Sequence, residues 1–296
     1  MVPLPICGLA LARSIAPMTM RTPVQLGPVQ ETLLVPLWAR AREADENPPL
    51  LNDPKSREIL EHLAYDFSPL DAARASQLGC CVRGAQVDAW VREFLERNPD
   101  GTVIELGVGL NSRFERCDNG RAVWFELDLP DVIALRRQFF EDTDRRTMLA
   151  GSALDDDWIE HVRGHAQGPS LIVSEGMFVY LQPAEVRQLF GRMADAFPGA
   201  LCAYDSMTPL VLRHQRRHDA MRHFEAEFAW SVQHAREVET WDARFRMVDE
   251  HSFYHMLYAH PKRLPVFYRW MGPLIAAVYP PLKRAYHVNL LQLGQP

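Results

Sequence analysis

The chain has no long hydrophobic run, no excess of basic residues and few cysteines. No window approaches the ~18 consecutive apolar residues of a membrane-spanning helix, so no membrane partner is expected. The formal net charge is −6. That argues against nucleic acid as a partner, because neutralising phosphates needs a basic surface. The cysteines are five, an odd number (Cys7, Cys80, Cys81, Cys117 and Cys202), and form no C-x-x-C pair. Neither a disulfide framework nor a zinc or other metal site is expected, and reduced thiols point to a cytoplasmic setting. The apolar run LPICGLALA has no basic residue ahead of it and does not read as a signal peptide. Residues 1–28 are read as a disordered extension ahead of the domain. No repeat or low-complexity tract breaks up the rest.

What is present is an ordinary globular composition: 47% apolar and 24% charged over 296 residues, enough for a sizeable core. The reading is one domain over 29–296, with a helical insertion at about 207–240 and a helical C-terminal addition at about 253–283. The organising stretch is VIELGVGLNSRFERCDNGRAVWFELDLP, residues 103–130. An apolar strand (Val103 to Leu106) runs into a turn bearing Gly107 and Gly109. A second strand (Ala122 to Leu127) ends at Asp128. Strand, glycine turn and a carboxylate about 20 residues on make a Rossmann-type nucleotide pocket. The glycines admit a ligand where a Cβ would collide, and an ionised Asp accepts from both ribose hydroxyls. A dinucleotide fold wants G-x-G-x-x-G, but position 112 is Ser. Glu105 instead gives ExGxG, which suits S-adenosylmethionine (SAM): there is no pyrophosphate to cradle, and the ammonium and sulfonium favour nearby carboxylates.

Further elements alternate as in an α/β protein. Residues 29–47 read as an entering helix, whose Arg40 and Arg42 either face solvent or cover a carboxylate. Asp53-Pro54 opens another. Residues 84–97 form an amphipathic helix with Val87, Trp90, Val91, Phe94 and Leu95 on one face. Pro130 starts a helix after Asp128. Strands follow at Thr147 to Ala150, Leu171 to Ser174, Ala200 to Tyr204, Arg244 to Val248 and Tyr286 to Leu293, with a helix from Pro183 between the second and third. The acidic run Asp155 to Asp157 suits a helix N-terminus. Glu175 stands just past a central strand, where open α/β sheets bind ligands. Residues 207–240 are crowded with Arg, His and aromatics. They read as a helical lid over a substrate, or as a solvated basic face.

Three segments, VIELGVGLNSRF, WFELDLPDVIALRR and LIVSEGMFVYL, together resemble the leucine carboxyl methyltransferase family, and most nearly its bacterial branch of polyketide O-methyltransferases. The resemblance covers roughly residues 30–205. It implies an α/β class I SAM-dependent methyltransferase fold, Rossmann-like, with a seven-stranded, mostly parallel sheet, and SAM as cofactor. Carried over by motif, Gly107 and Gly109 lie against the methionine half of SAM and Asp128 takes the ribose. Ala153 and Leu154 flank the adenine, and Glu175 and Tyr180 face the cofactor and reaction centre. Arg83, in CVRGAQVD, matches the arginine that holds the SAM carboxylate, and Arg42 or Arg40 matches a basic residue from the N-terminal helix. Asn111-Ser112 stands where the family usually has Asp-Thr. Ala153 replaces a common acidic residue, which leaves Ser152 or Asp155 for the adenine.

The implied reaction is methylation of a carboxylate on a small polyketide-like acid. A carboxylate is already ionised at pH 7, its ordinary pKa being ~4, so no catalytic base is expected. Tyr180, with Arg213, His214 or Arg217 of the lid, would hold the acceptor, arginine because its fork matches a carboxylate. Three alternatives stand beside this: a phenol or hydroxyl O-methyltransferase using His214, His218 or His223 as base, a protein or peptide C-terminal carboxyl methyltransferase, and a binding module without catalysis.

Overall fold

The computed structural model describes residues 21–294. In chain order its strands are β1 (Thr22–Pro23), β2 (Leu63–Ala64), β3 (Thr102–Leu106), β4 (Val123–Asp128), β5 (Arg146–Ala150), β6 (Ser170–Ser174), β7 (Ala200–Met207), β8 (Phe245–Ser252) and β9 (Tyr286–Leu293). The last seven form one sheet in the order β5-β4-β3-β6-β7-β9-β8. The first five of that order run parallel. β9 is antiparallel to both of its neighbours. From β3 the chain steps outward to β4 and β5, then crosses back to β6 on the other side of β3. The crevice between β3 and β6 is therefore the switch point of the sheet, where such folds bind ligands.

The helices are α1 (Leu34–Glu43), α2 (Pro54–His62), α3 (Arg74–Arg97), α4 (Arg113–Cys117), α5 (Pro130–Arg136), α6 (Asp157–His165), α7 (Pro183–Ala196), α8 (Pro209–Arg213), α9 (Phe253–Tyr258) and α10 (Val266–Val278). The strict two-residue alternation of a strand sends Val103 to one face and Ile104 to the other. Val103 joins Val87, Trp90, Val91 and Phe94 of α3. Ile104 joins the core beneath α6 and α7, with Val162, Val186 and Phe190. With both faces covered, β3 is buried along its whole length, as a central parallel strand must be.

Four elements differ from the sequence reading. The helix expected from residue 84 begins at Arg74, because Leu78, Cys81 and Val82 continue its buried stripe. β7 and β8 run on to Met207 and Ser252, each paired with β9. The stretch 207–240 is not a helical lid: after α8 it holds only short 3-10 turns. Between those turns its backbone groups find partners elsewhere. Val232 N–H donates to Met207 O, and Ala229 and Trp230 N–H donate to Val179 O. The apolar residues follow no helical period and are spent in separate places, Ala220 against α1 and α3, Trp230 in the main core. Of the N-terminal extension, residues 1–20 lie outside the described residues. From residue 21 the chain packs on the body, Thr22 and Pro23 pairing with Leu63 and Ala64.

Candidate functional site

A cavity of about 730 Å³ opens at the carboxyl ends of β3, β4, β6 and β7. Its floor is the glycine turn. Gly107 and Gly109 have φ of +69° and +54°, and a Cβ on Gly107 would sit 2.7 Å from Met177 Cβ, so glycine is required there. Asp128 Oδ2 accepts from Gly109 N–H at 2.7 Å and Oδ1 from Leu129 N–H at 2.8 Å. Burial nevertheless outweighs those two bonds and pushes its carboxyl up to about 6. Arg136, fully buried on α5, reaches back under the turn and donates Nη1 to Gly109 O at 3.1 Å and Asn111 O at 2.6 Å. Its Nε is anchored on Glu126 at 2.9 Å.

Beside the turn runs a chain of ion pairs. Arg113 Nη1 lies 3.3 Å from Glu105, and its Nη2 donates to Glu175 at 2.5 Å. Glu175 accepts from Arg83 Nε at 2.9 Å. Arg83 Nη1 reaches Asp205 at 3.2 Å and Tyr286 at 2.8 Å, and the Tyr286 hydroxyl donates to Asp205. A second layer braces the first. Asp88 takes Arg113 Nε at 2.8 Å and Arg116 Nε at 2.7 Å. Asp53 takes Arg40 Nε and Arg116 Nη1, both at 3.0 Å. Burial opposes the charge on Glu175, but Arg83, Arg113 and Arg40 hold its carboxyl down to about 2. Glu105 is different: burial raises it against the pull of Arg113, and its Oε1 makes no hydrogen bond among the described residues.

Residues 34–194 match the family model described as leucine carboxyl methyltransferase. The chain belongs to that family. The tetracenomycin polyketide synthesis O-methyltransferase TcmP of Streptomyces glaucescens is 32% identical over 218 residues, covering 73% of this chain and 80% of that one. The S-adenosyl-L-methionine-dependent methyltransferase dpfgK of Gibberella zeae is 30% identical over the same shares. Among solved structures, a putative methyltransferase from Thermobifida fusca aligns with a TM-score of 0.52 at 16% identity, over 87% of this chain and 94% of that one. A DUF574 family protein from Streptomyces avermitilis aligns at 0.53 and 12%, over 88% and 97%. The fold is that of class I methyltransferases, and this leucine carboxyl methyltransferase relative is SAM-dependent.

The cavity of this methyltransferase fits that cofactor. It offers a glycine cradle that a Cβ would fill, a carboxylate at the tip of β4 and a buried Glu105 oxygen that, though 3.3 Å from Arg113 Nη1, takes no hydrogen bond among the described residues. Arg83, Glu105, Gly107, Gly109, Asp128, Ser152, Ala153, Leu154, Glu175 and Tyr180 all line it. The three lid candidates divide. Arg217 lies on its rim. His214 lines an adjoining hollow instead, and Arg213 is exposed, its Nε on Pro209 O at 3.2 Å. His218, one of the three candidate bases, also lines the main cavity, whereas His223 is exposed. Of the N-terminal arginines Arg40 is buried at the cavity wall, while Arg42 pairs with Asp71 at the surface.

The sequence reading missed Arg113, Arg136, Asp205 and Tyr286. One signal for the network was present. Asp88 lies on the buried stripe of α3, three and seven residues before Val91 and Leu95, and an acid on such a stripe demands a buried partner. Nothing local marks Tyr286, whose partners come from distant segments, and Arg136 meets Glu126 of the preceding strand only once α5 packs back on the sheet.

Proposed function

We propose that this methyltransferase converts a carboxylate of a small, mostly aromatic or apolar acceptor into its methyl ester. The observation that carries the reading is the supply of hydrogen-bond donors, without an idle carboxylate, at the acceptor end of the cavity. Asp205 and Glu175 are bound to Arg83, and Asp219 accepts the Ala75 and Ser76 N–H groups at the start of α3. Burial pushes the Tyr180 phenol up to about 12, so it is a donor at neutral pH. His218 Nδ1 accepts Met221 N–H at 3.3 Å, which leaves the hydrogen of the neutral ring on Nε2. Donors suit an acceptor that arrives ionised. Met177, Phe228, Tyr254 and Tyr258 make the surrounding wall apolar and aromatic.

In this reading Asp128 takes the ribose hydroxyls, and Ser152, Ala153 and Leu154 border the adenine. Gly107 and Gly109 admit the methionine portion, whose ammonium meets Glu105 Oε1. Arg83 keeps Nε and Nη1 on Glu175 and Asp205 and turns Nη2 to the methionine carboxylate. SAM supplies an electrophilic methyl group. The protein's part is to align the acceptor oxygen and strip its water, and positioning of that kind can be worth ~7–11 kcal/mol.

Isotope-labelled SAM, offered with aromatic acids, phenols and peptides bearing free C-termini, tests the reading. The product is then treated with mild alkali. Label released as methanol marks an ester and supports it; alkali-stable label marks an ether and ends it. His218 favours one competing reading, a phenol acceptor. Burial lowers its pKa below the usual 6.5, so it is neutral at pH 7 and could serve as base after a change of tautomer.

A further inference from the structure

α10 is an apolar helix with no partner on its outer side among the described residues. Ten of the twelve large apolar side chains exposed among the described residues fall between Val266 and Leu282. Phe267, Trp270, Leu274 and Val278 follow one another at helical spacing and are 61%, 70%, 60% and 87% exposed. The inner side of the same helix, through Gly272 and Ala276, roofs the cavity.

The charge around this stripe is one-sided. Residues 251–285 contain no Asp or Glu but hold Lys262, Arg263, Arg269, Lys283 and Arg284, in a chain whose net charge is −6. Arg263 is paired with Glu43, and Arg269 is turned onto the carbonyls of Pro261 and Lys262. Lys262, before the helix, and Lys283 and Arg284, after it, make no ion pair among the described residues. An apolar stripe with Trp and Phe, bracketed by unpaired cations, has the make-up of a helix that lies in the headgroup region of an anionic bilayer. No helix among the described residues is long and apolar enough to cross a membrane, so this one would lie on the surface.

We infer that α10 seats the protein on an anionic lipid surface, its outer stripe in the headgroup layer and the roof of the cavity against the lipid. A second copy is a poorer occupant, since a symmetric contact would bring the same cations face to face. A soluble acidic protein is poorer too. Specific interfaces carry about one hydrogen bond per 100–200 Å², and of the four stripe residues only Trp270 has a side-chain donor.

Vesicle flotation of the full chain tests this, with phosphatidylcholine alone and with added phosphatidylglycerol. The protein should float with the anionic vesicles and be released by salt. Trp270→Ser with Leu274→Ser should abolish flotation. Lys262→Gln, Lys283→Gln and Arg284→Gln together should weaken it about a hundredfold. These side chains are exposed, Lys283 only in part, and thermal unfolding verifies each variant; the glutamine set tests the proposal even if the serine pair misfolds. No flotation of the unaltered protein, or flotation that neither set changes, overturns the inference. A dimer that the serine pair converts to monomer, without flotation, assigns the face to a second copy and overturns it as well. None of these outcomes depends on the acceptor.

Discussion

Arg83 and Glu175 stand 92 positions apart and meet at 2.9 Å, Nε to Oε1. One comes from the middle of α3, the other from the end of β6, so the pair ties the helix to the switch point of the sheet. Because Arg83 also faces Asp205, Arg83→Ala leaves two buried carboxylates short of a partner. Its expected cost is about 3–5 kcal/mol, seen as a lower denaturation midpoint. Arg83→Lys keeps the charge but loses the fork, and should fold while binding SAM more weakly. Unchanged SAM affinity of the lysine variant by calorimetry would remove Arg83 from the cofactor site.

The proposed place of Asp128 in the cofactor site predicts a pH dependence. Its carboxyl is raised to about 6 from an ordinary 3.8. A raised acid adds stability at low pH that is lost as pH rises through the folded value, so in the free protein ionised Asp128 is a net cost near pH 7. With Asp128 on the ribose hydroxyls, as proposed, SAM needs that ionised form. Its affinity should therefore fall as pH drops below about 6, by about tenfold per unit once protonation is dominant. Asp128→Asn should bind SAM weakly at every pH and show no such slope. An equally steep slope in the variant would place the titrating group elsewhere.

Asp219 connects the loop 207–240 to the start of α3. Ala73, at the helix boundary, supplies no side-chain cap. Asp219 accepts from Ala75 N–H at 3.1 Å, Ser76 N–H at 3.3 Å and the Ser76 hydroxyl. Asp219→Ala should cost about 1 kcal/mol, the usual worth of an N-cap. It should also loosen the loop that holds Arg217, His218 and Met221, raising KM for the acceptor while SAM affinity stays within about twofold. A loss of SAM affinity as large as the loss for the acceptor would show that the loop does not act on the acceptor side alone.

What the sequence made legible follows from how local each signal is. The strands, Gly107, Gly109 and Asp128 could be placed because strand, turn and carboxylate are neighbours in the chain. Glu175 could be placed at the cavity because it follows a strand that its apolar run marks as central. The ion-pair network was not, because Arg113 on α4 faces Asp88, Glu105 and Glu175 only once three distant segments have packed together. The loop 207–240 misled for a related reason. Its arginines and histidines resemble a helical face, yet its backbone closes only short, isolated turns, and between them Phe228, Ala229, Trp230 and Val232 donate to Gln215, Val179 and Met207.

His218 separates the two acceptor chemistries. It lines the cavity, its Nδ1 takes Met221 N–H at 3.3 Å, and burial lowers its pKa. If the acceptor is a carboxylate, His218 is at most a hydrogen-bond donor, and His218→Gln, which also donates, should keep kcat within about tenfold. The pH–rate profile at saturating SAM should then be flat between about pH 6 and 8. If the acceptor is a phenol, the imidazole must remove a proton. The same substitution should then cost about 10²–10⁴ in kcat, and the rate of the unaltered enzyme should fall as pH drops through the lowered pKa, below 6.5. Since Met221 N–H favours the tautomer with hydrogen on Nε2, a phenol acceptor must also pull the ring away from that bond. Met221→Pro, which removes the N–H, would then ease the base role, whereas for a carboxylate acceptor it would weaken a donor; Met221→Ala, which keeps the N–H, controls for the lost side chain that lines the cavity beside the Tyr180 hydroxyl. Opposite changes in kcat of the proline variant relative to the alanine variant distinguish the mechanisms without knowledge of the natural acceptor.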